Sequence, residues 1–399
     1  MAQFKKLLRM QPNLSTFISF KTLYQEPLRD FELEVLKQFS EIEGWFREQW
    51  KETPAVLTTS VDLRVSGDQI VPIDTNIFPA GFNNLSQEMK KYATEAIKLT
   101  LSRLASQATS ILILTENHTR NPFYSESISV LSSCFSAAGL TVSVSPLDQF
   151  KTEQLSSDVI VLNHDLSTGL VASLTQLNRP IYPSPNLGWW NRSKFQHFSI
   201  YLELITDFCQ RFSFDKKTFF TPFMKVESVD FMKQTGFDAL AKAVDTIAQT
   251  KVPFVTIKAD QGTYGMSVMM VQSGQEVLAM NRRQRSHMAA RKGGEKVSSL
   301  LVQAGVETIE KSEENHAAEP VVYLIGSTIV GSFYRVHPAQ SARESLNSPG
   351  MYFRPCSLEE RQIEFTVADR FYAYGVAARL AALAAAKESQ VLNQSQNDI

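Results

Sequence analysis

The sequence predicts an α/β protein in which a parallel-sheet region is joined to an α+β region. Three observations support this fold class. Short apolar strands alternate with helices between residues 85 and 163, a β-hairpin precedes them, and two further strands flank a glycine-containing loop at residues 253–271. The chain has 399 residues, more than one typical domain, so we expect two or three structural units with cores of their own.

The first predicted elements are a helix and a hairpin. A helical pattern covers residues 30–50. The strand-like segments AVLTTSVDLRV and QIVPIDTN flank the turn-forming triplet SGD, which indicates a hairpin whose second strand carries Asp74. In the helix that follows, apolar residues recur at spacings of three and four, namely at Leu85, Met89, Ala93, Ile97, Leu101 and Leu104.

The next region alternates short apolar strands with helices. ILIL at residues 111–114, TVSVS, and DVIVLN at residues 158–163 are the strands. This alternation is typical of a parallel sheet that is covered by helices and binds ligands at the carboxyl ends of its strands. The polar loops TENHTRNPFY and NHDLSTG follow the first and last of these strands, so they are candidate substrate loops.

The C-terminal half begins with a mainly helical part at about residues 190–250. A second α/β region follows, in which EPVVYLIGSTIVGSFYRV indicates an antiparallel strand pair. Residues 358–388 predict a long alanine-rich helix, either a packing surface or a contact in a homo-oligomer. The terminal NQSQNDI is predicted to be a disordered tail.

Composition excludes several classes of protein. The 40 Lys and Arg residues balance 41 Asp and Glu residues, so no overall field favours nucleic acid or an anionic membrane surface. The three cysteines form no CxxC pair, which indicates reduced thiols in the cytoplasm. The N-terminal apolar run is too short for a signal peptide, and no run of 18 apolar residues predicts a membrane span.

The segment VPIDTNIFPAGFNNL carries the first chemical signal. Side chains alternate along a strand, so Asp74 and Asn76 lie on the same face. Together with a carboxylate from elsewhere, such as Asp260, they would form an oxygen site suited to Mg²⁺. The simpler interpretation is turn chemistry at the end of a strand, and the pattern alone leaves both open.

The segment IKADQGTYGM carries the second signal. Lys258 closes a strand, and Gly262 and Gly265 bracket a loop whose backbone N–H groups could approach a phosphate closely. The alternative is an ordinary hairpin. The GxxxxGK[ST] pattern does not occur, which excludes a P-loop NTPase.

The segment LLVQAGVET carries the third signal. An apolar strand gives way here to small residues, as expected for a hinge whose backbone binds the edge of an adenine ring. The candidate hinge residues are Gln303, Ala304 and Val306.

Taken together, these features resemble the ATP-grasp ligases, in which two α+β layers close on ATP. The order of the motifs, with IDTN before the lysine loop, resembles the permuted arrangement of eukaryotic glutathione synthetase. More specifically, VDLRVSGDQIVPIDTNIFPAGFNNL, ENHTRNPFY, IKADQGTYGMSVM and AEPVVYLIG…VGSFYRVH…ESLNSPGM resemble bacterial glutamate–cysteine ligases of the ATP-grasp-like type. The resemblance covers about residues 50–355.

The resemblance implies an architecture of a central mixed sheet, a parallel-sheet substrate domain and a lid. Residues 1–110 would contain the N-terminal helices and the metal-binding hairpin, and residues 111–195 the substrate domain. Residues 196–357 would form the nucleotide-binding and lid region, and residues 358–399 the C-terminal helix and tail.

The resemblance also implies a reaction. ATP and Mg²⁺ would convert the side-chain carboxylate of L-glutamate to an acyl phosphate, and the amine of L-cysteine would displace phosphate to give γ-glutamylcysteine. Because a carboxylate is a poor electrophile, it needs such activation, and the protein contributes mainly positioning and charge neutralisation.

Candidate residues follow for each role. Phosphates would bind Lys258 and the loop of Gly262, Thr263, Tyr264 and Gly265. Mg²⁺ would bind Asp74, Asn76 and Asp260, with Glu319 or Glu344 as alternatives to Asp260. Arg335 and Arg285 would neutralise the acyl phosphate. The substrate-binding candidates are Arg64, Asn83, Asn84, His118, Arg120, Asn121 and Asn347.

Bland alternatives exist for several of these residues. Each arginine could form a surface ion pair, and Asn83 or Asn84 could cap the following helix. For the whole protein, one alternative is another ATP-dependent carboxylate–amine ligase, such as a glutathione synthetase or a dipeptide ligase. The other is a non-catalytic nucleotide-binding α/β protein.

Overall fold

A computed structural model of the chain describes residues 26–117, 122–262, 267–289, 294, 296–355 and 366–397. The described helices are α1 (Glu26–Lys37), α2 (Phe39–Glu52), α3 (Gln87–Leu104), α4 (Pro122–Ala137), α5 (Ala172–Thr175), α6 (Lys194–Phe212), α7 (Phe237–Ala248), α8 (Gly274–Leu278), α9 (Arg282–Ala289) and α10 (Thr366–Asn397). The described strands are β1 (Thr58–Val65), β2 (Ile70–Asn76), β3 (Ser110–Thr115), β4 (Thr141–Pro146), β5 (Val159–Asn163), β6 (Ile181–Tyr182), β7 (Phe223–Val226), β8 (Val255–Ala259), β9 (Val268–Val271), β10 (Leu300–Ala304), β11 (Ala317–Ile325), β12 (Thr328–His337) and β13 (Tyr352–Pro355).

These strands form three sheets, and the predicted α/β class is confirmed. A five-stranded sheet has the order β13-β12-β11-β1-β2, and a four-stranded sheet has the order β7-β10-β8-β9. Both are antiparallel throughout, and in the five-stranded sheet tight turns join the neighbouring strands β1–β2 and β11–β12. The alternating region forms the third sheet, β4-β3-β5-β6, which is parallel as its helix–strand pattern predicts.

The alanine-rich helix α10 lies in the core of this chain. The side chains of Ala373, Ala377, Ala381 and Ala384 are fully buried, because such small residues let neighbouring elements approach closely. The helix packs against β1, β2, α1 and α6. It therefore serves as a packing surface within the chain, as predicted.

The helix α10 also extends into the segment predicted to be a disordered tail. It continues to Asn397, and the Asn393 side chain accepts a hydrogen bond from the Ser184 hydroxyl at 2.7 Å. Within the described residues, no helix combines the length and apolar character needed to cross a membrane.

Candidate active site

A cleft of about 780 Å³ lies between the two antiparallel sheets. Strands β1, β2, β11 and β12 contribute one side of it, and β8, β9 and β10 contribute the other. The cleft thus joins parts of the chain that are far apart in sequence. The predicted site residues that line it are Arg64, Asp74, Lys258, Gly262, Gln303, Ala304, Val306, Arg335 and Asn347.

Lys258 reaches across the cleft to the strand that carries Asp74. Its Nζ donates to the carbonyl of Ile73 at 2.8 Å and to Gln303 Oε1 at 2.9 Å. The register between β1 and β2 shifts at this point, which leaves Ile73 as an extra residue of a β-bulge. Burial lowers the pKa of Lys258 to about 8, although the Asp74 carboxylate opposes that shift.

Lys194 is a second cation of the cleft, and the sequence reasoning missed it. Its Nζ donates to Asp74 Oδ1 at 3.2 Å and to the Gly262 carbonyl at 2.9 Å, and it lies 3.8 Å from the Trp189 ring centroid. A lysine in the first turn of a helix opposes the helix dipole, and this was the available signal. Lys194 therefore connects the predicted metal carboxylate to the glycine loop.

Asp74 is held as a carboxylate by these two cations. Burial alone would raise its pKa, but the charges of Lys194 and Lys258 outweigh burial and lower the pKa to about 2. The Asn76 side chain donates to Asp74 Oδ2 at 3.3 Å, which orients the carboxylate. Asn76 itself is not among the residues that line the cleft.

Acidic and basic side chains lie together on the face of the five-stranded sheet that borders the cleft. Asp62 lies directly opposite Asp74, and Glu319 lies directly opposite Arg335. Arg335 Nη1 donates to both Asp62 Oδ2 at 2.8 Å and Glu319 Oε1 at 2.5 Å. Burial raises the pKa of Asp62 to about 6. The charge of Arg335 opposes this shift, and the carboxylates of Glu319 and Asp74 add to it.

Asp62 was not among the predicted site residues. Its signal was its spacing of two from Arg64 between the apolar residues Val61, Leu63 and Val65, which places both charged side chains on one buried face. The Nε of Arg335 is also buried and has no hydrogen-bond partner among the described residues. A buried donor of this kind favours an anionic ligand in the cleft.

Arg64 lines the cleft, but its guanidinium is engaged by protein groups. It donates to Glu319 Oε2 at 3.1 Å, to the Val306 carbonyl at 3.2 Å and to the Ala342 carbonyl at 2.9 Å, and also to the Glu344 carbonyl. It therefore ties strand β1 to the predicted adenine hinge.

The carboxylate of Asp260 is turned away from the cleft. It accepts hydrogen bonds from the Ser193 hydroxyl at 2.9 Å, from the Phe195 N–H at 2.8 Å and from the Ser299 hydroxyl at 3.3 Å. Asp260 thus fastens the end of β8 to the start of α6. Glu344 is exposed, and its carboxylate accepts from the Ser341 N–H at 2.7 Å.

The structure does not bring three other predicted residues to the cleft lining. Arg285 lies on α9 and donates to the Met280 carbonyl at 2.6 Å. Asn83 and Asn84 lie in the 3₁₀ turn Phe82–Asn84, and the cap of α3 is Ser86, which accepts from Met89 N. Six predicted residues fall outside the described part of the chain, namely His118, Arg120, Asn121, Thr263, Tyr264 and Gly265.

The polar loops that follow β3 and β5 meet at the edge of the parallel sheet. Donor and acceptor atoms of Glu116, His164 and Asp165 lie within 4.8 Å of one another. The N–H of Leu166 donates to His164 Nδ1 at 3.0 Å, so that ring nitrogen is already used. Trp189 connects this cluster to the cleft, since its N–H donates to the Asp165 carbonyl at 2.9 Å and its ring contacts Lys194 of the cleft lining.

A family model of glutamate–cysteine ligases matches residues 32–157 and 147–389. The chain belongs to the glutamate–cysteine ligase family. A solved structure described as a candidate gamma-glutamylcysteine synthetase, from Methylobacillus flagellatus, is 34% identical and superposes with a TM-score of 0.84. That match covers 94% of this chain and 99% of the other chain.

Two other comparisons add nothing to the glutamate–cysteine ligase assignment. A glutathione synthetase-like effector from Globodera pallida, in its apo form, matches with 9% identity and a TM-score of 0.41 over 84% of this chain and 89% of that chain. No curated protein matches. The predicted enzyme class is confirmed: the protein is a glutamate–cysteine ligase, an enzyme of glutathione biosynthesis.

Proposed function

We propose that this glutamate–cysteine ligase activates L-glutamate with ATP in the cleft between the two antiparallel sheets, in an ATP-grasp-like arrangement. One observation carries the proposal: Lys258, which precedes the glycine loop, contacts strand β2, which carries the proposed metal ligand Asp74. The Lys258 ammonium donates a hydrogen bond to the carbonyl of Ile73, the residue before Asp74. The Lys194 ammonium donates to both the Asp74 carboxylate and the Gly262 carbonyl. The main anion-binding cations and the main acidic group therefore share one site.

The nucleotide would lie along the four-stranded sheet. Phe254, Val268 and Met270 supply an apolar wall suited to an adenine ring, beside the hinge at residues 303–306. Gly305 has no side chain where the chain passes Phe254, and a Cβ there would come within 2.2 Å of the phenyl ring. The phosphates would then extend toward Lys258 and Lys194.

Mg²⁺ would be held by Asp74, oriented by Asn76, with Glu319 from the same sheet face. Of the three candidates for the additional carboxylate, Glu319 alone is in the cleft lining among the described residues, so we prefer it to Asp260 and Glu344. The donors fit, because crowded carboxylates and nucleotide phosphates are the usual ligands of Mg²⁺. When bound, the ion neutralises charge on the transferring phosphoryl group.

The reaction would proceed in two displacements. The side-chain carboxylate of L-glutamate attacks the γ-phosphorus of ATP, and ADP leaves. The amine of L-cysteine then attacks the acyl carbon, phosphate leaves with the bonding electron pair, and the amine loses a proton. Lys194, Lys258 and Arg335 stabilise the negative charge that moves between these groups, because preorganised cations act strongly in a shielded cleft. Asn347 would contact a substrate.

We also place the enzyme in the cytoplasm. Both cysteines that lie in the described residues, Cys134 and Cys209, are buried and free. Free thiols are typical of a reducing compartment.

We expect phosphate release to require ATP, Mg²⁺, L-glutamate and L-cysteine together. The measurement is phosphate release by the purified protein, with product identification by mass spectrometry. Incubation with γ-glutamylcysteine and glycine serves as the control for a glutathione synthetase. Release with that pair but not with glutamate and cysteine would contradict the proposed substrates, and no release with any pair would contradict ATP-dependent ligation.

We expect nucleotide affinity to fall as the pH rises through about 8. The pKa of Lys258 is near 8, so its charge is present below this pH and is about nine-tenths lost by pH 9. The dissociation constant of a non-hydrolysable ATP analogue should therefore rise by up to about tenfold between pH 7 and pH 9. The affinity is measured by calorimetry without the amino-acid substrates, because the thiol of free L-cysteine would itself titrate in this pH range.

The variant Lys258→Met is the control for this pH dependence. It should bind the analogue weakly at every pH, with a flat profile over the same range. A flat profile in the unmodified enzyme would contradict the loss of a Lys258 charge that binds the nucleotide, and a sloping profile in the variant would show that another group titrates.

A further inference from the structure

A buried network of charges joins the C-terminal helix to the back of strand β2. Glu388 on α10 is fully buried, and both of its carboxylate oxygens accept from Arg192 Nε at 3.0 Å. One of them also lies 3.2 Å from Nδ1 of His197. Glu388 therefore fixes the positions of a guanidinium and an imidazole at the same time.

Both of these groups hold Thr75. Arg192 Nη1 donates to the Thr75 carbonyl at 2.7 Å, and His197 Nε2 lies 3.0 Å from the Thr75 hydroxyl. Thr75 stands between Asp74 and Asn76 on β2, and successive side chains of a strand point to opposite faces. The network consequently contacts β2 on the face opposite to the cleft.

The segment that carries Arg192 also contacts the face of β2 that borders the cleft. Lys194, two residues further on, donates to the Asp74 carboxylate at 3.2 Å and to the carbonyl of Gly262. A displacement of Arg192 would therefore move both the backbone beside Asp74 and the cation that faces it.

We propose that Glu388 is a positioning residue of the ligase, which acts through Arg192 and His197 to set the Asp74 carboxylate and Lys194 ammonium relative to each other. The proposal rests on the proposed role of Asp74 as a Mg²⁺ ligand. A buried ion pair is a weak device for stability, since apolar residues of similar volume often stabilise as well or better. Outer partners of metal ligands commonly change metal affinity or activity by 10- to 100-fold when removed.

The chain offers a matched control on the same helix. The buried Arg379 of α10 forms an ion pair with the partly buried Glu43 of α2 at 2.7 Å, and Glu43 also accepts from the Tyr372 hydroxyl at 2.9 Å. Glu43→Gln and Glu388→Gln each replace the carboxylate of one ion pair formed by α10 with an amide of the same size. Only the second change affects the network behind β2.

We expect Glu388→Gln to lower kcat at least about tenfold relative to Glu43→Gln, with a smaller change in the KM of L-cysteine. Both thermal midpoints without ligands should fall, that of Glu388→Gln further because Arg192 is fully buried, so kcat is measured well below both midpoints. Calorimetric titration of a non-hydrolysable ATP analogue at several Mg²⁺ concentrations should show a higher Mg²⁺ requirement for Glu388→Gln alone.

If kcat fell in the two variants only as far as their loss of thermal stability explains, the proposal would be overturned and Glu388 would have a purely structural role. Should Glu388→Gln fail to fold, Thr75→Val removes only the hydroxyl contact to His197 and should raise the Mg²⁺ requirement at an unchanged thermal midpoint. An unchanged Mg²⁺ requirement in Thr75→Val would overturn the proposal too.

The variant Asp74→Asn separates this proposal from the proposed function. An active Asp74→Asn enzyme would contradict the metal role and the positioning role together. An inactive Asp74→Asn enzyme, combined with Glu388→Gln that matches Glu43→Gln, would contradict the positioning role alone.

Discussion

Replacing Asp74 by Asn is expected to lower kcat by on the order of 1,000-fold while the protein stays folded. The Asp74 carboxylate would bind Mg²⁺, and two lysines depress its pKa to about 2, so it is ionised at every working pH. The amide has almost the same shape but supplies no charge to the metal or to Lys194. Phosphate release and circular dichroism, recorded on the same preparation, measure the two quantities.

Asp158→Asn is the matched control for Asp74→Asn. Asp158 also has a pKa lowered to about 2, but hydrogen bonds from Thr109 and Ser110 cause that shift, outside the cleft lining. Its replacement should leave kcat within about twofold. Turnover by Asp74→Asn at the rate of Asp158→Asn would rule out a metal-binding role for Asp74.

Secondary structure was predictable here wherever one local pattern decided it. The hairpin β1–β2 follows from two β-like runs around SGD, and the parallel sheet follows from apolar strands that alternate with helices. The alanine-rich helix α10 was predicted as a helix but with two possible roles. The packing role became visible only in the burial of Ala373 and Ala384 inside the chain, and that packing depends on distant elements.

The same dependence on local pattern separates the site residues that could be predicted from those that could not. Asp74 and Lys258 stand beside turn or glycine signals in their own segments, so sequence reasoning could select them. Lys194 and Glu388 gain their partners from sheet register and helix packing, about which their local segments carry little information. Asp260 has a signal as strong as that of Asp74, yet its carboxylate faces the start of α6.

Replacing Arg335 by Lys is expected to lower kcat at least about 100-fold. The guanidinium spans Asp62 and Glu319 and keeps a buried Nε without a partner among the described residues, where a phosphate oxygen could accept. A lysine ammonium keeps the charge and could replace Nη1 between the two carboxylates, but it lacks the separate Nε–H that would bind the ligand. Steady-state kinetics with varied ATP, together with thermal unfolding, measure this effect.

The variants Arg335→Met and Arg343→Lys make the result at Arg335 interpretable. Arg335→Met leaves the buried Asp62 without its counter-ion and Glu319 with Arg64 alone, so it should also lower the free energy of unfolding, by about 3–5 kcal/mol. Arg343 forms an exposed ion pair with Glu307, so Arg343→Lys should be neutral. If Arg335→Lys kept kcat within threefold of the unmodified enzyme, the guanidinium would serve only to balance Asp62 and Glu319, and phosphate charge would be stabilised by Lys194 and Lys258 alone.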